Sequence, residues 1–133
     1  MKTTIYLVRH GQSVGNLKDL FIGHTDIALT DLGLQQAKMA ADYLKNIPID
    51  AIYSSDLQRA YNTARATAEQ KKLPITKTSQ MREVFGGKWE EVCFSDLHKQ
   101  YPEDFGVWCN DFKNCRCGFY SLGVYNKNTL NGF

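Results

Sequence analysis

The sequence predicts an α/β fold built on a mostly parallel sheet, and three observations predict it. Ile5-Tyr6-Leu7-Val8 is an unbroken apolar and aromatic run, the pattern of a strand buried on both faces. A helical pattern and a second short apolar run follow, so that residues 5 to 54 read as strand, helix, strand. Between the first strand and that helix lies a glycine-punctuated stretch that begins Arg9-His10-Gly11. This is where open α/β sheets place their ligands, just beyond the carboxyl ends of strands.

Each element has its own justification. Gly11 allows a sharp turn and a close approach of backbone to ligand after the first strand. Residues 11–29 show no sustained periodicity, and Gly11, Gly15 and Gly23 are spaced through them. They read as a loop over the top of the sheet, where Gln12, Ser13, Asn16 and Thr25 supply polar groups. Thr30 is placed to cap a helix whose apolar face runs from Leu32 or Leu34 through Ala37, Ala40, Ala41 and Leu44. Asn46 and Pro48 end it. Asp50-Ala51-Ile52-Tyr53-Ser54 is a second buried strand, expected parallel to the first through a right-handed crossover. Ser55 and Gln58 have capping-box spacing, with Leu57, Ala60, Ala64 and Ala68 on one face of the next helix. Pro74-Ile75-Thr76-Lys77-Thr78 reads as an edge strand, since proline and lysine suit edges. Ser95 is placed to cap a short helix through Gln100, and Pro102 starts another running to about Phe112. The recurrence of Phe105, Trp108 and Phe112 on it suits core or lid packing.

The 133 residues are one domain by length, with 43% hydrophobic and 12% aromatic residues to form a core. A net charge of +2 without a long basic run gives no nucleic-acid footprint. The apolar run between Lys2 and Arg9 is too short for a signal peptide, and no stretch is long enough to span a membrane, so the expected location is cytoplasmic. Cys93, Cys109, Cys115 and Cys117 are then expected as thiols. Cys115-Arg116-Cys117, with Cys109 and His98, matches none of the usual paired zinc spacings, and neither a metal nor another cofactor is expected.

Arg9 and His10 at a strand end suit a phosphate. A guanidinium holds phosphate oxygens in a fork, and a neutral imidazole nitrogen can attack phosphorus. Arg59 lies near the start of a helix that begins at the carboxyl end of the second strand, the same sheet edge as His10, with the positive end of the helix dipole pointing there. Phosphate binding is expected of it, against the alternative of a solvated helix surface. Arg65 reads as solvated, and Glu90 and Glu91 as solvent-facing.

Leu7-Val8-Arg9-His10-Gly11-Gln12-Ser13 resembles the signature of the histidine phosphatase superfamily, in its phosphoglycerate mutase-like branch. Asn16, Phe21-Ile22-Gly23, Asp26 to Gly33, Gln35-Gln36-Ala37, Ser54 to Ala60 with Thr63-Ala64, and Arg82-Glu83 follow in the family order, to about Trp108. The resemblance implies a three-layer α/β fold with helices on both faces of the sheet. It implies His10 as nucleophile, Glu83 as the proton donor to the leaving oxygen, and Arg9 and Arg59 as phosphate ligands. A carboxyl at 83 partly buried by Phe85 or Trp89 would have the raised pKa this role needs; the plain alternative is an exposed loop acid. Gly11, Gln12, Asn16, Gly23, His24 and Thr25 are the expected substrate contacts.

The likeness stops after about residue 117. From Gly118 to Phe133 there is no acidic residue and no helical periodicity, and the family's Gly-Glu-Ser motif, long helix and second active-site histidine are absent. Residues 1–117 are thus expected as a partial family domain and 118–133 as an atypical tail. The whole is expected to be a truncated or frame-shifted form of a longer member. Lack of one preorganised group on the phosphoryl would cost about two to three orders of magnitude in rate. The Ile5–Val8 strand would keep an unpaired side, open to homodimer pairing.

Three functions follow. The first is a phosphomonoesterase acting through phosphohistidine on a small phosphorylated metabolite. The second is a phosphoglycerate mutase-type phosphotransferase, disfavoured because no basic cluster lies between Glu83 and Trp108. The third is a catalytically impaired phosphate-binding protein.

Overall fold

A computed structural model describes residues 2–111, 116–117 and 120–121. In chain order the elements are α1 (Val14–Leu17), α2 (Asp31–Leu44), β1 (Ile52–Ser55), α3 (Gln58–Lys71), β2 (Ile75–Thr78), α4 (Phe94–Gln100), α5 (Pro102–Asn110), β3 (Arg116–Cys117) and β4 (Tyr120–Ser121). The α/β architecture with a parallel sheet is present. Its parallel pair is β1 with β2, in register Ile52 opposite Ile75 and Ser55 opposite Thr78, and α3 is the crossover. β3 and β4 pair antiparallel. Phe112, Cys115 and the expected tail, apart from Tyr120–Ser121, lie outside the described residues.

The first expected strand does not form. Residues 2–12 have no regular secondary structure, and Ile5 and Leu7 are 72% and 89% exposed. Apolar sequence sets only a preference for burial. A strand exists as a member of a ladder whose partner takes up its N–H and C=O groups, and no described strand pairs with this run. The crossover expected between residues 5 and 54 is therefore replaced by the one between 52 and 78.

Contacts divide the chain into two units, Met1–Val14 with Asp26–Met81, and Gly15–Thr25 with Arg82–Phe133. In the first, α2 packs on α3. The Thr30 hydroxyl accepts the Gly33 N–H at 3.1 Å, as a cap should. The buried face of α2 is Gly33, Ala37, Ala41 and Leu44, whereas Leu32 and Leu34 are exposed. The displacement from the expected face has a steric cause. A Cβ at residue 33 would lie 2.1 Å from the Gln12 carbonyl O, so only a glycine lets the helix backbone meet the loop. At the other end the Lys71 ammonium donates to the carbonyls of Lys45 and Ile47 at 2.8 and 2.6 Å, a cation at the negative end of the helix dipole.

The face of α3 is also rotated from expectation. Arg59, Thr63, Thr67 and Ala68 are buried, and Ala60 and Ala64 are only partly so. No capping box forms, because the helix starts at Gln58 after Leu57. Instead the Ser55 hydroxyl accepts the Leu57 N–H at 3.2 Å, and Asp26 accepts the Gln58 N–H at 2.8 Å. Arg65 is exposed, ion-paired along the helix with Glu69.

The second unit is held by an aromatic core. Phe21, Trp89 and Leu97 are its buried centre, with Val84, Val92, Phe94, Tyr101, Phe105 and Trp108 packed against them. Phe21 meets Trp89 edge-to-face at 5.6 Å between ring centroids, and Phe105 stacks on Trp108 at 5.8 Å. Such pairs add about 0.5–1.5 kcal/mol each beyond area burial. The stripe on α5 is thus core. Cys93, not Ser95, is the residue before α4, and no side chain caps it.

Candidate active site

His10 lies at the end of the irregular segment 2–12 and is partly buried. Its Nδ1 stands 2.7 Å from the Gly11 carbonyl O. A carbonyl only accepts, so Nδ1 carries a proton, and in the neutral form of the ring the lone pair lies on Nε2. The loop that orients the ring is itself pinned. The Gly11 N–H donates to the Thr63 hydroxyl at 3.0 Å, and that hydroxyl donates to the Arg59 carbonyl at 2.8 Å. The Gln12 N–H donates to Gln36, and the Thr30 hydroxyl donates to the Gln12 side chain at 2.8 Å. Within this unit Gly11, Gln12 and Arg59 are therefore tied to one frame made by α2 and α3.

Arg59 is 4% exposed, in the first turn of α3. The solvated-surface alternative is excluded for it. A buried guanidinium must be paired with anions or acceptors, and its fork geometry suits a phosphoryl group. Arg9 is exposed.

In the second unit, Glu83 is exposed, its Oε1 accepting the Val84 N–H at 2.8 Å. The expected partial burial by Phe85 or Trp89 is not found, because the Trp89 ring is committed to the core with Phe21. His24 approaches the same segment. Its Nε2 donates to the Glu83 carbonyl at 2.9 Å and its ring packs on Phe85 at 5.1 Å. Gly23 is buried, Thr25 partly buried and Asn16 exposed on α1. The loop expected over 11–29 thus contains one turn of helix.

Glu90 was expected to face solvent, and it does not. It is partly buried and accepts the N–H groups of Gly23, His24, Thr25 and Gly86 and the Thr25 hydroxyl, the last at 2.7 Å. Burial alone would raise its pKa. The bonds from Gly86, His24 and Thr25 outweigh burial and hold the carboxyl below its ordinary value of 4.5. Its place directly after a core tryptophan was the available sequence signal. Thr63 was named only within the motif order, and its role as acceptor for the Gly11 N–H was missed; the signal for it was the spacing of Arg59, Thr63 and Thr67 at successive turns of one helix.

Among the described residues no group of three or more His, Cys, Asp or Glu could hold a metal ion. Cys93 and Cys109 are free thiols, and no described helix is long and apolar enough to cross a membrane.

A family model described as histidine phosphatase superfamily, branch 1, matches residues 5–118. The chain belongs to this superfamily. As a histidine phosphatase superfamily member it is 33% identical over 110 residues to the adenosylcobalamin/alpha-ribazole phosphatase of Escherichia coli, covering 83% of this chain and 54% of that protein. It is 45% identical over 75 residues to the 2,3-bisphosphoglycerate-dependent phosphoglycerate mutase of Chlamydia muridarum, covering 54% of this chain and 33% of that protein. The solved structure of mycobacterial glucosyl-3-phosphoglycerate phosphatase with VO3 superposes with a TM-score of 0.75 at 32% identity, covering 78% of this chain and 50% of that one. The chain thus spans about half the length of the phosphatase relatives it matches.

Proposed function

We propose that this chain carries the phosphate-handling part of a phosphomonoesterase for small phosphorylated metabolites. The orientation of His10 carries the reading: with Nδ1–H committed to the Gly11 carbonyl, the lone pair of Nε2 is the group that attacks phosphorus. The P–Nε2 bond forms as the P–O bond to the leaving group breaks. Glu83, in its acid form, gives the departing alkoxide a proton. Water then attacks the phosphohistidine: the Glu83 carboxylate takes a proton from the water as the new P–O bond forms and the P–Nε2 bond breaks, and inorganic phosphate leaves with His10 and the Glu83 acid restored. Arg59 and Arg9 hold the equatorial oxygens, where positioning and charge stabilisation are most of the catalysis. Gly11, Gln12, Asn16, Gly23, His24 and Thr25 are the substrate-contacting set in this reading.

The likeness to a phosphoglycerate mutase keeps phosphoryl return to a sugar acid as a second reading. The phosphatase reading is preferred because the stretch from Glu83 to Trp108 has no basic cluster. Residues 1–117 as the domain and 118–133 as a tail belong to the same proposal. So does a cytoplasmic site, which the free thiols of Cys93 and Cys109 fit. Pairing of two copies through the exposed Ile5–Val8 run would show as a dimer in sedimentation.

The deciding experiment is hydrolysis of an aryl phosphate by the chain and by His10→Ala, from mildly acidic to neutral pH. Phosphate release that vanishes in the variant is expected, with acid-labile phosphate trapped on the wild-type protein. Equal rates in both proteins would reject the phosphohistidine mechanism. Interconversion of phosphoglycerates faster than phosphate release would favour the mutase reading.

A further inference from the structure

The segment Glu83-Val84-Phe85-Gly86-Gly87-Lys88-Trp89-Glu90 carries two carboxylates, and they are built very differently. Glu83 is exposed. Glu90 receives the N–H groups of Gly86 at 2.8 Å, His24 at 2.9 Å and Thr25 at 3.1 Å, and the Gly23 N–H shared between both oxygens at 3.2 and 3.1 Å. The Thr25 hydroxyl completes the set at 2.7 Å. Five donors on one carboxylate use up its capacity of about four lone-pair sites.

This clasp joins two segments distant in sequence, residues 23–25 and the turn at Gly86. Its closeness depends on glycine at both. A Cβ at residue 23 would lie 2.1 Å from the Val84 carbonyl and 2.5 Å from the Glu90 carboxylate, and one at residue 86 would lie 2.5 Å from the Phe21 ring. The base is rigid, since the neighbouring Trp89 is buried in the aromatic core and its N–H is bonded to Gly86. From the clasped segment His24 reaches on to donate to the Glu83 carbonyl at 2.9 Å. The carboxylate of Glu90 therefore governs where the backbone bearing Glu83 lies.

Glu90 is unsuited to be the acid itself. Its oxygens are occupied by donors, and although burial would raise its pKa, those donors hold the carboxyl below the ordinary range, so it is an anion at mildly acidic and neutral pH.

We infer that Glu90 is a positioning residue for proton transfer to the leaving group, acting through the clasp and His24 on the segment that carries Glu83. The catalytic part of this inference rests on the phosphomonoesterase reading. In a positioned-acid role, removal of Glu90 hurts only substrates whose leaving oxygen needs a proton.

The test compares the full chain with Glu90→Gln on an alkyl phosphate and on 4-nitrophenyl phosphate, whose leaving group departs as an anion. The expected result is a fall in kcat/KM of about 10- to 100-fold on the alkyl ester and about 3-fold or less on the nitrophenyl ester. Glu83→Gln should give the same split, and the double variant no further loss, as for groups acting as one unit. Equal losses on both substrates, as partial unfolding would give, or no loss on either, would overturn the inference.

Amide exchange at Gly23, His24, Thr25 and Gly86 provides a second readout that needs no turnover. Protection in the wild type that is lost in Glu90→Gln, with shifted Glu83 and Val84 resonances, supports the clasp; unprotected amides in the wild type refute it. If the wild-type chain hydrolyses neither ester, the phosphomonoesterase reading and the catalytic role of Glu90 fail together, and the exchange data still decide the clasp.

Discussion

Gly11→Ala tests how the loop after Val8 is held against its scaffold. An alanine Cβ there would stand 2.3 Å from the Gly33 carbonyl O and 2.9 Å from the Gly33 carbonyl carbon and Cα. These are backbone atoms in the first turn of α2, so no flexible side chain can yield. Relief requires the loop to move off the helix. That motion strains the bond from the Gly11 N–H to Thr63 and the bond from the Thr30 N–H to the Gln12 carbonyl, at 3.0 and 2.9 Å. Overpacking costs about 1–3 kcal/mol and an orphaned buried donor about 1–3 kcal/mol. The expected loss is about 2–6 kcal/mol, a large part of a total of about 5–15. With an unfolding entropy of about 2.1 cal/mol/K per residue over 133 residues, Tm should fall by about 7–21 °C. Gly106→Ala is the matched control. It lies inside α5 with nothing within 4 Å of its Cβ, and should gain about 0.5–1 kcal/mol from helix propensity. Urea unfolding followed by far-ultraviolet circular dichroism measures both. A Gly11→Ala protein within about 0.5 kcal/mol of wild type, the range of ordinary surface changes, would refute the close-packing argument.

Other perturbations have equally definite outcomes. Thr63→Val keeps the side-chain shape but leaves the Gly11 N–H without its acceptor, which should cost about 1–3 kcal/mol in chemical denaturation. Lys72 is an exposed non-glycine residue with φ 55° at the end of α3, so Lys72→Gly should raise stability by about 0.5–1 kcal/mol, read as a higher urea midpoint. The Glu90 carboxyl has a folded-state pKa below its ordinary 4.5, so its contribution is fully present above that value and lost as pH falls through the folded value. The stability gap between wild type and Glu90→Gln should therefore be constant from neutral pH to about 5 and shrink in stronger acid. A gap that widens on acidification would contradict the observed donors.

Local patterns were enough for much of this molecule. The existence of α2, β1, α3, β2, α4 and α5 followed from periodicity and punctuation, since a helix or a short strand with a following turn is encoded within a dozen residues. The Thr30 cap, the edge-like Ile75–Thr78 strand and the aromatic stripe of Phe105 and Trp108 were legible for the same reason. So was the family motif that contains Arg9, His10 and Arg59, on which the proposed phosphate chemistry rests, because motif order along a chain is a sequence property. Glu83 could be named from its motif, but its exposure could not, because burial depends on which neighbours claim Phe85 and Trp89.

What tertiary structure alone decided concerns partners distant in the chain. Whether Ile5–Val8 is a strand depends on a ladder mate, which apolar character does not supply. The faces of α2 and α3 were turned by backbone contacts at Gly11 and Gly33 and by the Thr63 hydroxyl, contacts that hydrophobic periodicity cannot register. Glu90 looked like a surface acid because all its donors but Gly86 are at residues 23–25, more than sixty positions away. Residue type and spacing determine which elements can form and which groups can do chemistry. Only the meeting of distant segments determines which of those groups is buried, which is ionised and which holds another in place.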